Sequence, residues 1–374
     1  MASTGMLSSN ALTVKRWETE DWVNLGQYVA FGHMFNRGAI FYSETFLGSK
    51  SRGDQVTYDY VNKLTGVPVG EGGTLDGNEE ALDLGSFTMA INVTRIGVLN
   101  PNDDTIEQQR TLVDFPERTR QVIPARHKEL LDTSVFQQLA GAYPTSWTQN
   151  GTTWSGNNRL FVTGHNVPVA PSSDRILRAG GGANDQAITS SNTATLDLID
   201  FAIEQINLSN QPIEMFDDQT FDSYWSPEQI TDLKQDTSGK IQWFNQALAY
   251  ATSGKYDMLE GQIYQGMRSL GCYGNVYIYE AARVAYGVRS DTSAVITTVR
   301  RAVIVGKDAL TFASPFGGRP TDKSVPLKYF SQLKDYDYYK GLEGRMIYGL
   351  KKTVASNSSD IGVFVIVTYA APHS

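Results

Sequence analysis

Hydrophobic residues recur at every second position in two early segments of the chain, residues 56–61 and 87–93. This period predicts β-strands with one dry face. The residues between the two segments are rich in glycine and carry an acidic patch at Asp76, Glu79 and Glu80. The pattern therefore predicts a two-stranded ribbon with a long, negatively charged tip. Because an isolated ribbon is marginally stable in water, we expect it to pack on another surface, such as a second subunit.

A helical period follows the ribbon. Residues 105–108 and 114–117 both have capping-box spacing, and apolar positions keep one stripe to about residue 139. Pro116 fits a first helical turn, whereas Pro124 falls in the interior, where a missing N–H predicts a kink. Gly141 is a plausible helix end. We therefore predict one long amphipathic helix here.

The rest of the chain alternates irregularly between elements. Residues 143–192 are rich in Ser, Thr, Asn and Gly, which predicts loops with one strand at 160–162. Helices are predicted at 195–208, from the cap at 226–229, and at 242–251; strands are predicted at 276–279, 295–305 and 363–369. Separated helices and strands without a βαβ rhythm indicate an α+β fold.

The amino-acid composition and net charge exclude several kinds of protein. With 374 residues, 41% of them hydrophobic and 19% charged, most of the chain is expected to fold, as two to three domains or one large one. A single cysteine, Cys272, excludes an internal disulfide framework and a four-cysteine zinc site. The net charge of -8 argues against tight binding of a polyanion. No signal peptide or membrane span is predicted, because the most apolar run, 361–371, is too short.

Catalytic motifs are not evident. The four histidines lie far apart in sequence, the glycine runs at 70–73 and 180–182 lack P-loop spacing, and Cys272 has no histidine close to it in the chain. We therefore expect no catalytic residue, no metal site and no cofactor, and the features favour association over catalysis. The alternative is an enzyme whose site is assembled from scattered carboxylates and aromatic residues.

Five phrases, in order, carry a resemblance to a known family. They are GDQVTYD at 53–59, LDGNEEAL at 75–82, EQQR at 107–110, PEQITDL at 227–233 and GLKKT at 349–353. Together they span most of the chain. In these phrases the sequence resembles the major capsid proteins of tailed phages, in particular the coat-protein family named after the coliphage N-four.

The resemblance implies the Hong Kong 97-like coat fold. It implies five segments: an N-terminal arm at 1–50, an E-loop hairpin at 51–100, a P-domain spine helix with a Ser/Asn/Gly-rich insertion at 101–194, an A-domain at 195–290, and strands returning to the P-domain at 291–374. Pro116, Pro124 and the long 143–192 stretch depart from the family pattern. Another virion part, such as a decoration or tail protein, is disfavoured by the spine helix.

The resemblance also implies partners. Identical subunits would form hexamers and pentamers of an icosahedral head around packaged double-stranded DNA, with only weak contact to that DNA and none to a membrane. A separate scaffolding protein, a portal and a decoration protein would take part, with assembly in the host cytoplasm and the virion capsid as destination. The predicted interface residues are acidic ones on the ribbon and arginines as their partners: Asp54, Glu71, Asp76, Glu79, Arg95, Arg118 and Arg120.

Overall fold

A computed structural model describes residues 30–43, 55–61, 64, 66–82, 84–101, 115–149, 151–209, 211–236, 268–314, 327–355 and 360–373. The helices in these ranges are α1 (Ala30–Arg37), α2 (Phe115–Ala140), α3 (Leu196–Leu208) and α4 (Pro227–Gln235). The strands up to the middle of the chain are β1 (Ile40–Ser43), β2 (Gln55–Val61), β3 (Leu84–Ala90), β4 (Asn92–Pro101), β5 (Ser146–Gln149), β6 (Thr152–Ser155), β7 (Ile176–Arg178) and β8 (Phe221–Trp225). The later strands are β9 (Arg268–Tyr273), β10 (Val276–Glu280), β11 (Tyr286–Val288), β12 (Val295–Val305), β13 (Leu310–Ala313), β14 (Lys328–Lys334), β15 (Tyr339–Lys352) and β16 (Val363–Tyr369).

A seven-stranded mixed sheet forms the centre of the molecule. Its order is β7-β16-β12-β8-β10-β9, with β11 added to β12. The neighbouring strands β12 and β16 are antiparallel and carry apolar runs at 302–305 and 363–367. Such runs suit strands that are covered on both faces. Val303 and Val305 join one core while Ala302 and Ile304 join another, so the alternation divides one strand between two cores.

Helices cover the two faces of this sheet. One core contains Leu131, Val135 and Phe136 of α2, and the other contains residues of α3 and α4. The predicted cap of α4 is present: the Ser226 side chain accepts from the Gln229 amide, and the Gln229 side chain accepts from the Ser226 amide. Reciprocal capping satisfies two N–H groups that would otherwise lack a partner at the helix start.

A second sheet has the order β1-β13-β15-β14, and β4 pairs with β15. β15 is the long strand that joins its parts. Every second residue of β15 turns towards α2, and Gly344 lets the two backbones approach: His127 Nε2 lies 3.2 Å from the Gly344 carbonyl oxygen, and a Cβ at Gly344 would collide with Ile123. The opposite face of β4, β15 and β14 faces outward, and this face is named the open face below.

Most of the predicted elements are confirmed. The ribbon exists as β2 paired with β3, α2 extends unbroken through Pro124, and the helix at 195–208 and the strands at 276–279, 295–305 and 363–369 are present. The strand prediction at 160–162 is wrong, because these residues lie in a 3-10 helix, Gly156–Thr163. The segment predicted as one strand at 87–93 is two strands, β3 and β4, which separate at Ile91 and enter different sheets. The helix predicted at 242–251 and the capping box at 105–108 lie outside the described residues.

The structure shows where parts of two expected segments lie. Within the expected arm, 1–50, helix α1 is buried and β1 pairs in parallel with β13. Within 291–374, β12 and β16 lie in the seven-stranded sheet, and Val303 and Val365 of these strands share a core with Leu131 of α2. The segment boundaries stay predictions.

Candidate intersubunit surface

The base of the ribbon is anchored to the body. Val56 of β2 lies opposite Met89 of β3, and both are buried in a small cluster with Ile91 and Ala313. The side chain of Asn166 holds the end of β3 from the other side by bonding to the backbone of Ala90. The ribbon therefore leaves the body from a fixed base.

The tip of the ribbon, residues 64 and 66–82, is exposed along its whole length. Its large apolar side chains include Val67, which is 86% exposed, and Leu75, which is 61% exposed; Leu84 at the start of β3 is 66% exposed. Exposed apolar side chains grouped on one projecting element are typical of a surface that binds another protein.

The same tip is acidic. Glu71, Asp76 and Glu79 are exposed, and none of the three has an ion-pair partner among the described residues. The Glu79 carboxylate accepts the N–H of Gly77 at 2.7 Å, and the Glu80 carboxylate accepts the N–H of Gly66. These bonds to backbone N–H groups shape the loop. Asp54 lies outside the described residues.

The open face carries a cluster of opposite charge. Arg95 of β4 holds the Glu343 carboxylate in a bidentate contact, with Nε to Oε1 and Nη2 to Oε2 both at 2.6 Å. Arg345 donates to the same Oε1 at 3.0 Å. The hydrogen bond from Arg95, aided by Arg345, lowers the pKa of Glu343 to about 2. One carboxylate thus serves two guanidinium groups, and one positive charge is left over.

Neighbouring side chains of β14 extend this basic surface. Lys328 lies opposite Arg345 and Phe330 lies opposite Glu343, so both share the open face with the cluster. The Arg345 guanidinium lies 4.2 Å from the centre of the Phe330 ring. Lys334 falls on the same side by strand alternation, and all of β14 is exposed. The open face is therefore both basic and apolar, and it complements the ribbon tip.

The predicted arginines have different positions. Arg95 belongs to the open face, but its partner within the chain is Glu343 and not a ribbon carboxylate. Arg118 lies in the first turn of α2. Arg120, two residues later, is exposed, and its positive charge acts to lower the pKa of the Tyr329 phenol. The interface roles of all seven predicted residues stay predictions.

Sequence reasoning missed Arg345, Lys328, Phe330 and Lys334. A signal for this strand was present in the sequence. Lys328, Phe330, Gln332 and Lys334 occupy every second position of 328–334, so they would share one face of a strand. The glycines at 341, 344 and 349 interrupt the apolar period of β15 and conceal the hairpin.

Across the described ranges no group of three or more His, Cys, Asp or Glu residues is arranged to hold a metal ion. No helix in those ranges combines the length and the apolar character that spanning a membrane requires.

Comparisons with known proteins agree with this geometry. A family model described as phage capsid protein matches residues 47–372. The capsid of Ralstonia phage GP4 has a TM-score of 0.74 at 21% identity, with 100% of both chains covered. The capsid of cyanophage Pam1 has a TM-score of 0.65 at 18% identity over 100% of both chains. The head of Helicobacter pylori bacteriophage KHP40 has a TM-score of 0.60 at 14% identity, covering 98% of this chain and 99% of that chain.

A search of curated protein sequences gives no significant match. The structural likeness shows the fold, which is the α+β, Hong Kong 97-like coat fold. The family match extends over most of the sequence. The chain therefore belongs to the phage capsid protein family and is a major capsid protein of the phage head.

Proposed function

We propose that copies of this protein join ribbon to open face, forming hexamers and pentamers that close into an icosahedral head around packaged double-stranded DNA. One observation carries the proposal: the same chain presents an exposed tip that is acidic and apolar, and a basic, apolar face on which two arginines share one carboxylate. Two different complementary patches on one molecule make a heterologous contact, which generates rings when its rotation closes.

The strength of such a shell comes from repetition. An exposed charge pair contributes little by itself, about 0–1 kcal/mol. Burial of the Val67 and Leu75 side chains adds to each contact at roughly 25 cal/mol per Å² of apolar surface. Every subunit would make the contact once as donor and once as acceptor, so weak terms accumulate over the lattice.

The segments expected from the resemblance become proposals about roles. The ribbon lies in the proposed E-loop, 51–100, and α2 is the proposed spine helix within 101–194. The proposed A-domain, 195–290, contributes α3, α4, β8 and β10. Residues 291–374 complete both sheets. The proposed arm covers residues 1–50, and within it α1 is buried and β1 pairs with β13.

Further partners follow from the same proposal. A separate scaffolding protein, a portal and a decoration protein would accompany the coat protein, and assembly would take place in the host cytoplasm. Contact with the packaged DNA would be weak and non-specific, since the subunit carries a net charge of -8.

Expression of the full chain alone tests self-assembly. The products would be separated by size-exclusion chromatography and imaged by negative-stain electron microscopy. Shells, tubes or rings of five and six subunits are expected. A compact monomer that stays monomeric on concentration, and also when mixed with its scaffolding protein, would overturn the proposal.

A further inference from the structure

A groove of about 480 Å³ runs beside β4, at the edge of the open face, with which it shares Arg95. Its walls come from β4, α2, the β5–β6 hairpin and the 3-10 helix that follows it. The side chains that give it its character are Arg95, Ile96, Arg126, Leu130, Trp154 and Phe161. The volume lies in the range of pockets that bury a ligand or one or two large side chains.

Packed side chains form the inner wall of this groove, and the groove is open to solvent. Leu130 is buried and packs in a cluster with Trp147 and Val162, against which Ile96 and Trp154 also pack. Phe161 at the rim is 38% exposed. Within the described ranges β4 pairs only with β15, so its outer edge along the groove offers unpaired backbone groups. An extended peptide can pair with such an edge.

The charge of the groove is positive. Arg126 shares the Glu129 carboxylate with Arg283, at 2.5 Å from each guanidinium. Arg95 likewise shares Glu343 with Arg345. Each of these two lining arginines therefore shares one carboxylate with a second guanidinium group. An occupant that combines aromatic side chains with carboxylates would satisfy both the walls and the charges.

A segment of this chain has that composition. Residues 17–22 read Trp-Glu-Thr-Glu-Asp-Trp, with an aromatic residue at each end and three carboxylates between. The ribbon tip is also acidic, but it carries Val and Leu and no aromatic residue at 64–82. Two tryptophans match an aromatic groove better than aliphatic side chains do.

The segment is also tethered close by. Asp132 of α2 binds the amide of Phe31 at 2.9 Å, so the chain before Ala30 starts beside the helix that supplies Arg126 and Leu130. Asp132 and Arg126 are six residues apart, which is about 9 Å along the axis, and the helix is about 10 Å wide. Trp22 precedes Ala30 by eight residues, and eight extended residues reach about 26 Å. The tether spans the distance and raises the effective concentration of the segment to about the millimolar range.

We propose that residues 17–22 bind in the groove beside β4 of their own chain, with the tryptophans against Trp154 and Phe161 and the carboxylates towards Arg95 and Arg126. Disulfide trapping in the full chain tests this. In a Cys272→Ser background, Val23→Cys is combined with Val93→Cys on the groove edge. The matched control combines Val23→Cys with Phe201→Cys, an exposed position on α3.

Mild oxidation of the groove pair is expected to give an internal disulfide in the monomer, seen as a faster band on a non-reducing gel and as the loss of two hydrogens by intact mass spectrometry. Its rate should exceed that of the control pair by at least about tenfold, because the tethered cysteines meet only in the bound state. Adding Glu18→Lys, Glu20→Lys and Asp21→Lys leaves the body sequence unchanged and should reduce the rate to that of the control.

Equal trapping of the groove and control pairs would overturn the proposal. So would covalent dimers and ladders in place of internal disulfides, because they would assign the groove to a second copy. Trapping that is insensitive to the three lysine substitutions would also contradict it, since the charge argument would then fail.

Discussion

Asn166 takes the place of a strand neighbour for Ala90. Its Oδ1 accepts the Ala90 N–H at 2.8 Å, and its Nδ2 donates to the Ala90 carbonyl oxygen at 3.0 Å. The same Nδ2 also lies 3.0 Å from the Gly164 oxygen and 3.1 Å from the Leu350 oxygen. One buried amide therefore ties the end of β3, where the ribbon meets the body, to the long strand β15.

Replacement of this amide should loosen the base of the ribbon. Asn166→Asp keeps the shape but turns the donor into an oxygen that faces three carbonyl oxygens, so we expect a loss of about 2–3 kcal/mol in the free energy of unfolding. Urea denaturation of the unassembled subunit measures it, and faster hydrogen exchange at the Ala90 amide should accompany it. Asn157→Asp, at an exposed position, is the control. Equal effects of the two substitutions would contradict the role of Asn166.

The buried carboxyl of Asp132 should make stability depend on pH. Burial raises its pKa from 3.8 to about 7, although hydrogen bonds from the Phe31 and Ala30 amides and the charge of Arg283 act the other way; Glu129 adds to the rise. The folded protein therefore keeps a proton that the unfolded chain releases between about pH 4 and pH 7. The stability contributed by this group falls as the pH rises through that window.

Asp132→Asn retains an oxygen that accepts the Phe31 N–H and cannot ionise. We expect this variant to be more stable than the parent at pH 8, by on the order of 1–3 kcal/mol, and the difference to shrink towards pH 5. Thermal unfolding of the unassembled subunit between pH 5 and pH 8 measures the difference. Asp197→Asn, on the exposed side of α3, is the control. An unchanged pH profile in Asp132→Asn would show that another group sets it.

Lys352 and Asp360 form a fully buried ion pair, with Nζ and Oδ1 2.7 Å apart. Burial lowers the pKa of Lys352 and raises that of Asp360, and each charge opposes that tendency in its partner. Lys352→Met leaves the carboxylate buried alone, so we expect a loss of about 3–5 kcal/mol in the free energy of unfolding.

The double variant Lys352→Met/Asp360→Leu should recover most of that loss, because no charge then remains buried. A double-mutant cycle by urea denaturation measures the coupling. The exposed pair Lys307 and Glu214, 3.3 Å apart, provides the comparison, and Lys307→Met should destabilise the protein far less than Lys352→Met. Additive effects at Lys352 and Asp360 would contradict the coupling.

Charge on the ribbon tip should control assembly. Glu71→Lys with Asp76→Lys brings like charges to the basic open face, so we expect a several-fold lower yield of shells by light scattering and electron microscopy. High salt should weaken assembly of the parent chain for the same reason. Asp197→Lys with Glu204→Lys, on an exposed side of α3, is the matched control and should leave the yield unchanged.

The partner face can be identified by charge exchange. Lys328→Glu with Lys334→Glu should restore the yield of the doubly reversed ribbon, since attraction is regained with its sign inverted. If reversal at Glu71 and Asp76 leaves shell yield and melting unchanged, the tip has no electrostatic role in assembly. If charge reversal at Glu71 and Asp76 lowers the shell yield but Lys328→Glu with Lys334→Glu does not restore it, the ribbon binds a surface other than the open face.

The sequence alone was enough to predict those helices and strands whose pattern lies entirely within their own residues. The alternation at 56–61 and the capping box at Ser226 predicted β2 and the start of α4, because backbone period and cap chemistry involve only near neighbours. The order of five short phrases also indicated the family. These features do not depend on which element packs against which.

Tertiary structure decided what the sequence left open. The pattern of residues 160–162 predicted a strand, but they form part of a 3-10 helix that packs against α2 and β6. The break at Ile91 places β3 and β4 in different sheets, and only the assembled sheets show it. The open face likewise joins Arg95 to Glu343, residues 248 positions apart. Pairing across such separations depends on the whole set of competing contacts, so local sequence predicted individual elements and only the fold determined their partners and surfaces.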